Sequence, residues 1–158
     1  QLTGCLKIGV FLDAPLDEVR ETVKYCKLDL VQLHGSEDKT YRTRLALPHI
    51  KVFSLRPDGQ AADAAWPDDA NYVLLDTACG KQRGGSGVAF AWEAASALLN
   101  STSQPVLAAG GLTPENVTAA VKALKPFGVD VAGGVETDGR KDAQKLERFI
   151  RAARNKGV

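Results

Sequence analysis

Apolar positions along the chain fall into short runs, most of them followed by a segment in which apolar residues recur every three or four positions. The runs are LKIGVFL from residue 6, LDLVQLHG from 28, HIKVFSL from 49, NYVLLDT from 71, PVLAAGG from 105 and GVDVAGGVE from 128. Runs that are apolar on both faces predict parallel strands covered by helices. The segments between them read as those helices. In DAPLDEVRETVKYCK, Leu16, Val19, Val23 and Cys26 share a helical stripe, with Pro15 in the first turn after an Asp13 cap. In LTPENVTAAVKALKP, Thr113 caps and Val117, Ala120, Val121 and Leu124 form the stripe. In KDAQKLERFIRAARNKG, Leu146, Phe149, Ile150 and Ala153 share a face and Gly157 stops the helix. RPDGQAADAAWPDDA is the exception. Its prolines and glycine confine any helix to a turn or two around Ala61 to Ala65.

A strand-helix unit repeating about six times means either a doubly wound open sheet or part of a (β/α)8 barrel, and in both the chemistry sits at the carboxyl ends of the strands. No linker divides the repeat, and 158 residues suit one domain spanning 1–158. The strand ends carry Asp13, then Gln32, His34 and Gly35, then Ser54 and Arg56, then Asp76 and Thr77, then Gly110 and Gly111, then Ala132 to Glu136. The first strand-to-helix turn has no glycine fingerprint, and neither GxGxxG nor GxxxxGK[ST] occurs. The glycines gather in the last two turns instead, where a barrel commonly holds a phosphate on backbone N–H groups. That pattern favours the later part of a barrel. Taken singly, each residue keeps a plainer reading. A strand-end Asp76 can be a loop cap or a reacting acid, His34 a structural histidine or a substrate neighbour, and the glycine pairs tight turns or a phosphate cradle.

Composition narrows the picture further. Apolar residues make up 44%, charged residues 25% and the net charge is +1, so nothing suggests a nucleic-acid partner or a disordered chain. No run approaches the roughly 18 apolar residues that cross a bilayer. Three cysteines at Cys5, Cys26 and Cys79 share no metal-ligand spacing, which predicts free thiols, no metal and a cytoplasmic setting.

In family order and spacing, IGVF at 8–11, VQLHG at 31–35, LLDT at 74–77, GGSG at 84–87 with Phe90, Ala91 and Trp92, LAAGGLTPENV at 107–117, VDVAGGVE at 129–136 and GRKD at 139–142 resemble the phosphoribosylanthranilate isomerase family. The resemblance implies a (β/α)8 TIM barrel and a cofactor-free Amadori rearrangement in L-tryptophan biosynthesis. It converts N-(5-phosphoribosyl)anthranilate into 1-(2-carboxyphenylamino)-1-deoxyribulose 5-phosphate. By the same resemblance Asp76 is the general acid, kept protonated by desolvation in the barrel mouth. Gln32, His34, Gly110, Gly111, Ala132, Gly133 and Gly134 then bind the substrate and its phosphate. The family base, a Cys in a K-x-C-G motif on the first strand, and an anthranilate-contacting Arg on the second have no match here. The first run aligns with the family's third strand, so the chain is expected to cover strands 3 to 8 of an incomplete barrel, lacking the first two units. Cys5 precedes that strand and falls on the wrong rim for a base. Ala132-Gly133 stands where the family usually has two serines, and Ala91 where it usually has Asp. The helices resemble those of the fungal enzymes, in which the isomerase can be one domain of a multifunctional tryptophan-pathway polypeptide. The competing expectations are a catalytically inert phosphate-binding relic of this fold and a flavodoxin-like binding domain.

Overall fold

The structure, a computed structural model, describes residues 4–79, 82–83 and 91–154. The GGSG turn at 84–87, Phe90 and Gly157 lie outside these residues. Strands β1 (Ile8–Phe11), β2 (Leu30–Leu33), β3 (His49–Leu55), β4 (Tyr72–Cys79), β6 (Val106–Ala108) and β7 (Gly128–Val129) pair in parallel in that order. Strand β5 (Gln82–Arg83) doubles back antiparallel on the end of β4. A small hairpin of β8 (Glu136–Thr137) and β9 (Arg140–Lys141) stands apart. Each parallel strand sits beside the next one in sequence, with no reversal of order. A doubly wound sheet needs such a reversal at its switch point. The succession is therefore that of a barrel wall, and the flavodoxin-like expectation is overturned.

Helices α1 (Leu16–Cys26), α2 (Lys39–Leu45), α3 (Trp92–Asn100), α4 (Val117–Leu124) and α5 (Ala143–Arg154) connect or follow the strands. The apolar stripe of α1 forms as expected, but Asp13 takes a different part. Pro15 itself occupies the cap position, with Val19 N–H donating to its carbonyl at 3.1 Å. The Asp13 carboxylate instead accepts from Ser36 N–H at 2.6 Å and from its hydroxyl at 2.9 Å, fastening the turn after β2. Thr113 and Pro114 fall in a turn before α4, whose cap position is Asn116 with no side-chain cap bond. The Thr113 hydroxyl accepts from Glu115 N–H at 3.2 Å and the Asn116 side chain accepts from Thr113 N–H at 2.8 Å, bracing that turn. Ala91 opens α3 with no side-chain cap, the consequence of losing a carboxylate there.

Between β3 and β4 the chain makes no helix, in keeping with the prolines and glycine that limit any helical part around Ala61 to Ala65. It runs as bends with one bridge from Leu55 to Ala61. Trp66 does the helix's covering work, stacking at 5.0 Å on Phe53 and donating its indole N–H to Gln104 at 2.6 Å. Phe53, Leu55, Val73, Leu75, Val106 and Ala108 form the core on this helix-covered side. The alternate residues Ile50, Val52, Leu74 and Ala109 cluster on the other side. Side chains alternate faces along a strand, so this second set shares its side with the residues that end each strand.

Candidate active site

Register places the strand-end groups. Gln32 pairs with Ile50, Ile50 with Tyr72, and Ser54 with Asp76, so Gln32, His34 two residues on, Ser54 and Asp76 point to one side at the carboxyl rim. The Gln32 amide nitrogen lies 3.4 Å from His34 Nδ1, and His34 Nε2 lies 3.3 Å from Asp76 Oδ2. With the amide NH2 as donor, Nδ1 accepts, and Nε2 is the ring nitrogen that faces the carboxylate. The Nε2–Asp76 approach is within ion-pair distance but off hydrogen-bond alignment, which leaves that nitrogen otherwise without a partner. Asp76 is 6% exposed, and its second oxygen accepts from Thr77 N–H at 2.7 Å. The carboxyl is thus held from both sides, by β2 and by its own strand end.

Gly110 and Gly111 both adopt left-handed backbone, φ 77° and 63°. A side chain at Gly110 would stand 2.8 Å from Thr77 N and 3.1 Å from Asp76 Oδ1, so only glycine lets this turn pass beside the carboxyl. Gly134 packs as closely on the Leu112 backbone, joining the two glycine turns, whereas the space over Gly133 is open. The turn Gly133–Val135 is a single 3-10 turn, and Lys141 braces it by donating to Ala132 O at 2.8 Å and to Glu136 at 2.7 Å. A cleft of about 70 Å³ results. Asp76, Gly110, Gly111, Ala132, Gly133 and Gly134, all expected site residues, line it together with Asp130. Gln32 and His34 do not line the cleft and reach it through Asp76.

Asp130 is the residue sequence reading missed. Strand β7 is only two residues long and ends at Val129, so the residue that follows the strand is Asp130, and the Asp130 amide donates to Ala108 O at 2.8 Å. The alternation Gly128, Asp130 beside the strand end was the available signal. Although its side chain reaches solvent at the rim, surrounding protein raises the Asp130 pKa above its ordinary value. The Asp76 charge adds to this, while His34 and Lys141 pull the other way.

A larger cavity of about 640 Å³ lies elsewhere, against Glu37, Arg42, Lys51, Phe53, Asp63 and Trp66 where a helix between β3 and β4 would sit. Burial lowers the Lys51 pKa against the opposing pull of Glu37. Its ammonium donates to Gly35 O at 2.6 Å, Glu37 at 3.2 Å and Leu33 O at 3.3 Å. With its three donors occupied, Lys51 ties β2 to β3, and of the strand-end residues named from the sequence only Gly35 lines this cavity.

A left-handed glycine turn, a second glycine turn packed on it and a buried carboxyl at their meeting point are groups able to approach a small anion closely and to move a proton. A sequence model described as N-(5'-phosphoribosyl)anthranilate (PRA) isomerase matches residues 2–152. The chain belongs to the PRA isomerase family. PRA isomerase of Oceanobacillus iheyensis is 41% identical over 156 residues, covering 96% of this chain and 73% of that protein. That of Geobacter metallireducens is 41% identical over 148 residues, 93% and 72%. Among solved structures, PRA isomerase of Thermotoga maritima superposes with a TM-score of 0.87 at 29% identity, over 98% of this chain and 76% of that one. A PRA isomerase complex with reduced 1-(o-carboxyphenylamino)-1-deoxyribulose 5-phosphate gives 0.83 at 27% identity, over 98% and 74%. The function of this PRA isomerase chain is accordingly an isomerisation in tryptophan biosynthesis. These relatives are bacterial, and they give no support to a fungal source or a multifunctional polypeptide. Among the described residues no helix is long and apolar enough to cross a membrane.

Proposed function

We propose that Asp76 is the general acid of the Amadori rearrangement of N-(5'-phosphoribosyl)anthranilate. The observation that carries this is its position: a nearly buried carboxyl at the one place where β4, the His34 side chain and the Gly110 turn meet. From there it protonates the furanose ring oxygen, the ring opens to a Schiff base, and a base removes the proton from C2. The substrate phosphate lies against Gly110, Gly111, Ala132, Gly133 and Gly134, whose backbone can approach it closely. Gln32 and His34 orient Asp76 and meet the sugar. No metal or organic cofactor takes part. In this reading residues 1–158 form one domain, and the six parallel strands occupy the places of strands three to eight of an eight-stranded barrel.

The second reading, an inert phosphate-binding relic, draws on one observation: Cys5 and Cys26 are both exposed, and neither lines the cleft. Decay of phosphoribosylanthranilate fluorescence separates the two. Turnover that falls about 100-fold or more in Asp76→Asn supports the acid, because positioned acids contribute on the order of 100- to 10,000-fold. Full activity in Asp76→Asn removes Asp76 from the role. Phosphate binding without any turnover, with this chain alone or with a preceding family segment supplied, favours the relic.

A further inference from the structure

We propose that Lys141 is a positioning residue for the substrate phosphate, holding the carbonyl side of the Gly133–Val135 turn so that the Gly133 N–H and a positive field face the cleft. This rests on placing the phosphate against the two glycine turns. A phosphate monoester brings a charge of about −1.5 to −2 at neutral pH. The residues lining the cleft offer it no cation, and two of them, Asp76 and Asp130, are aspartates. Backbone N–H groups must then hold the anion alone, unless a cation acts from behind them.

Lys141 stands behind them. It sits on β9, outside the cleft lining, and its ammonium donates to Ala132 O at 2.8 Å and to Glu136 Oε1 at 2.7 Å. The peptide bond joining Ala132 to Gly133 is trans, so the Gly133 N–H points the opposite way from the carbonyl that Lys141 holds. A cation on a carbonyl also polarises the peptide and strengthens the N–H at its other end as a donor. Gly133 lines the cleft, and a Cβ there would meet nothing within 4 Å, so its backbone is open to a ligand. The rest of the turn's carbonyl side is fastened as well. Asp142 N–H donates to Val135 O at 2.9 Å, and Lys145, from the first turn of α5, donates to Glu136 O at 2.6 Å. Lys145 thus holds a carbonyl of the hairpin, whereas Lys141 holds the peptide whose N–H belongs to a cleft residue. The Lys141 charge is felt inside the cleft, where it pulls the Asp130 pKa down against the burial that raises it.

Inorganic phosphate titrated into the chain and followed by phosphorus-31 NMR tests this without relying on turnover. Lys141→Met should weaken binding about 5- to 10-fold, a modest loss because the Lys141 side chain is 52% exposed, and Lys141→Arg should restore most of it. Glu136→Gln separates charge from bracing. It leaves Lys141 on Ala132 O and removes a nearby negative charge, so phosphate should bind at least as tightly as to the parent chain. A purely structural brace predicts instead a loss like that of Lys141→Met. Urea midpoints confirm that each variant is folded. Where turnover is measured, the Lys141→Met loss should appear in KM with kcat within about two-fold, and a loss confined to kcat overturns the proposal. Binding unchanged in Lys141→Met, or weakened equally in Glu136→Gln, also overturns it while leaving the phosphate against the glycine turns. No binding by the parent chain overturns that placing and this inference with it.

Discussion

At the level of single residues, the site depends on what is missing from a side chain as much as on what is present. Gly110 illustrates this. Its left-handed backbone and its contact with Thr77 N and Asp76 Oδ1 leave no space for a methyl group. Gly110→Ala should cost about 1 to 2 kcal/mol of stability from the backbone conformation alone. The turn must also move off the carboxyl, so kcat should fall more than phosphate affinity does. Equal activity with unchanged stability in a urea titration and a turnover assay would show the contact to be idle. Gly133 has open space above it and should accept Ala with little loss of stability. The sequence puts Gln32 and His34 at the end of one strand, but the 3.3 Å approach of His34 to Asp76, from the end of another strand, is supplied only by folding.

Among the elements, α2 shows how a polar network replaces a missing helix. Arg42 donates twice to Asp69, at 2.9 and 2.6 Å, and once to Glu37 O at 2.7 Å, tying α2 to the segment between β3 and β4. The hydrogen bonds from Arg42 hold the Asp69 pKa below its ordinary value of 3.8. A depressed folded-state pKa means that the unfolded chain binds the proton more readily. The contribution is therefore fully present above the unfolded value and is lost as pH falls through the folded one. Asp69→Asn should lower unfolding free energy by about 1 to 2 kcal/mol at neutral pH and flatten the acid limb below about pH 4, read by urea midpoints across pH. An unchanged acid limb would show that other carboxylates govern it. The helices α1, α4 and α5 were legible as stripes because their apolar spacing matches the helical period. The Asp13 cap was not, since its carboxylate found Ser36 from another turn, 23 residues away.

For the whole molecule, the sheet ends at β1, where Leu6, Ile8, Val10 and Leu12 are 43 to 65% exposed. An unpaired strand with apolar side chains in water invites pairing with another chain. The chain should associate at micromolar concentration in sedimentation velocity, and Val10→Lys with Leu12→Lys should shift it toward monomer. A monomer that remains soluble at high concentration would contradict this. By itself the sequence determined the element order, the parallel strands, the strand-end glycines and the carboxyl at Asp76. Those depend on local period and on residue chemistry, both readable from neighbours along the chain. Only the tertiary structure decided that the sheet runs as a barrel wall, that Trp66 covers the core where no helix forms, and that Asp130 joins Asp76. Each of these is a meeting of residues far apart in sequence, and the energies that fix such meetings come from burial and from charges brought together by folding, which no local pattern records.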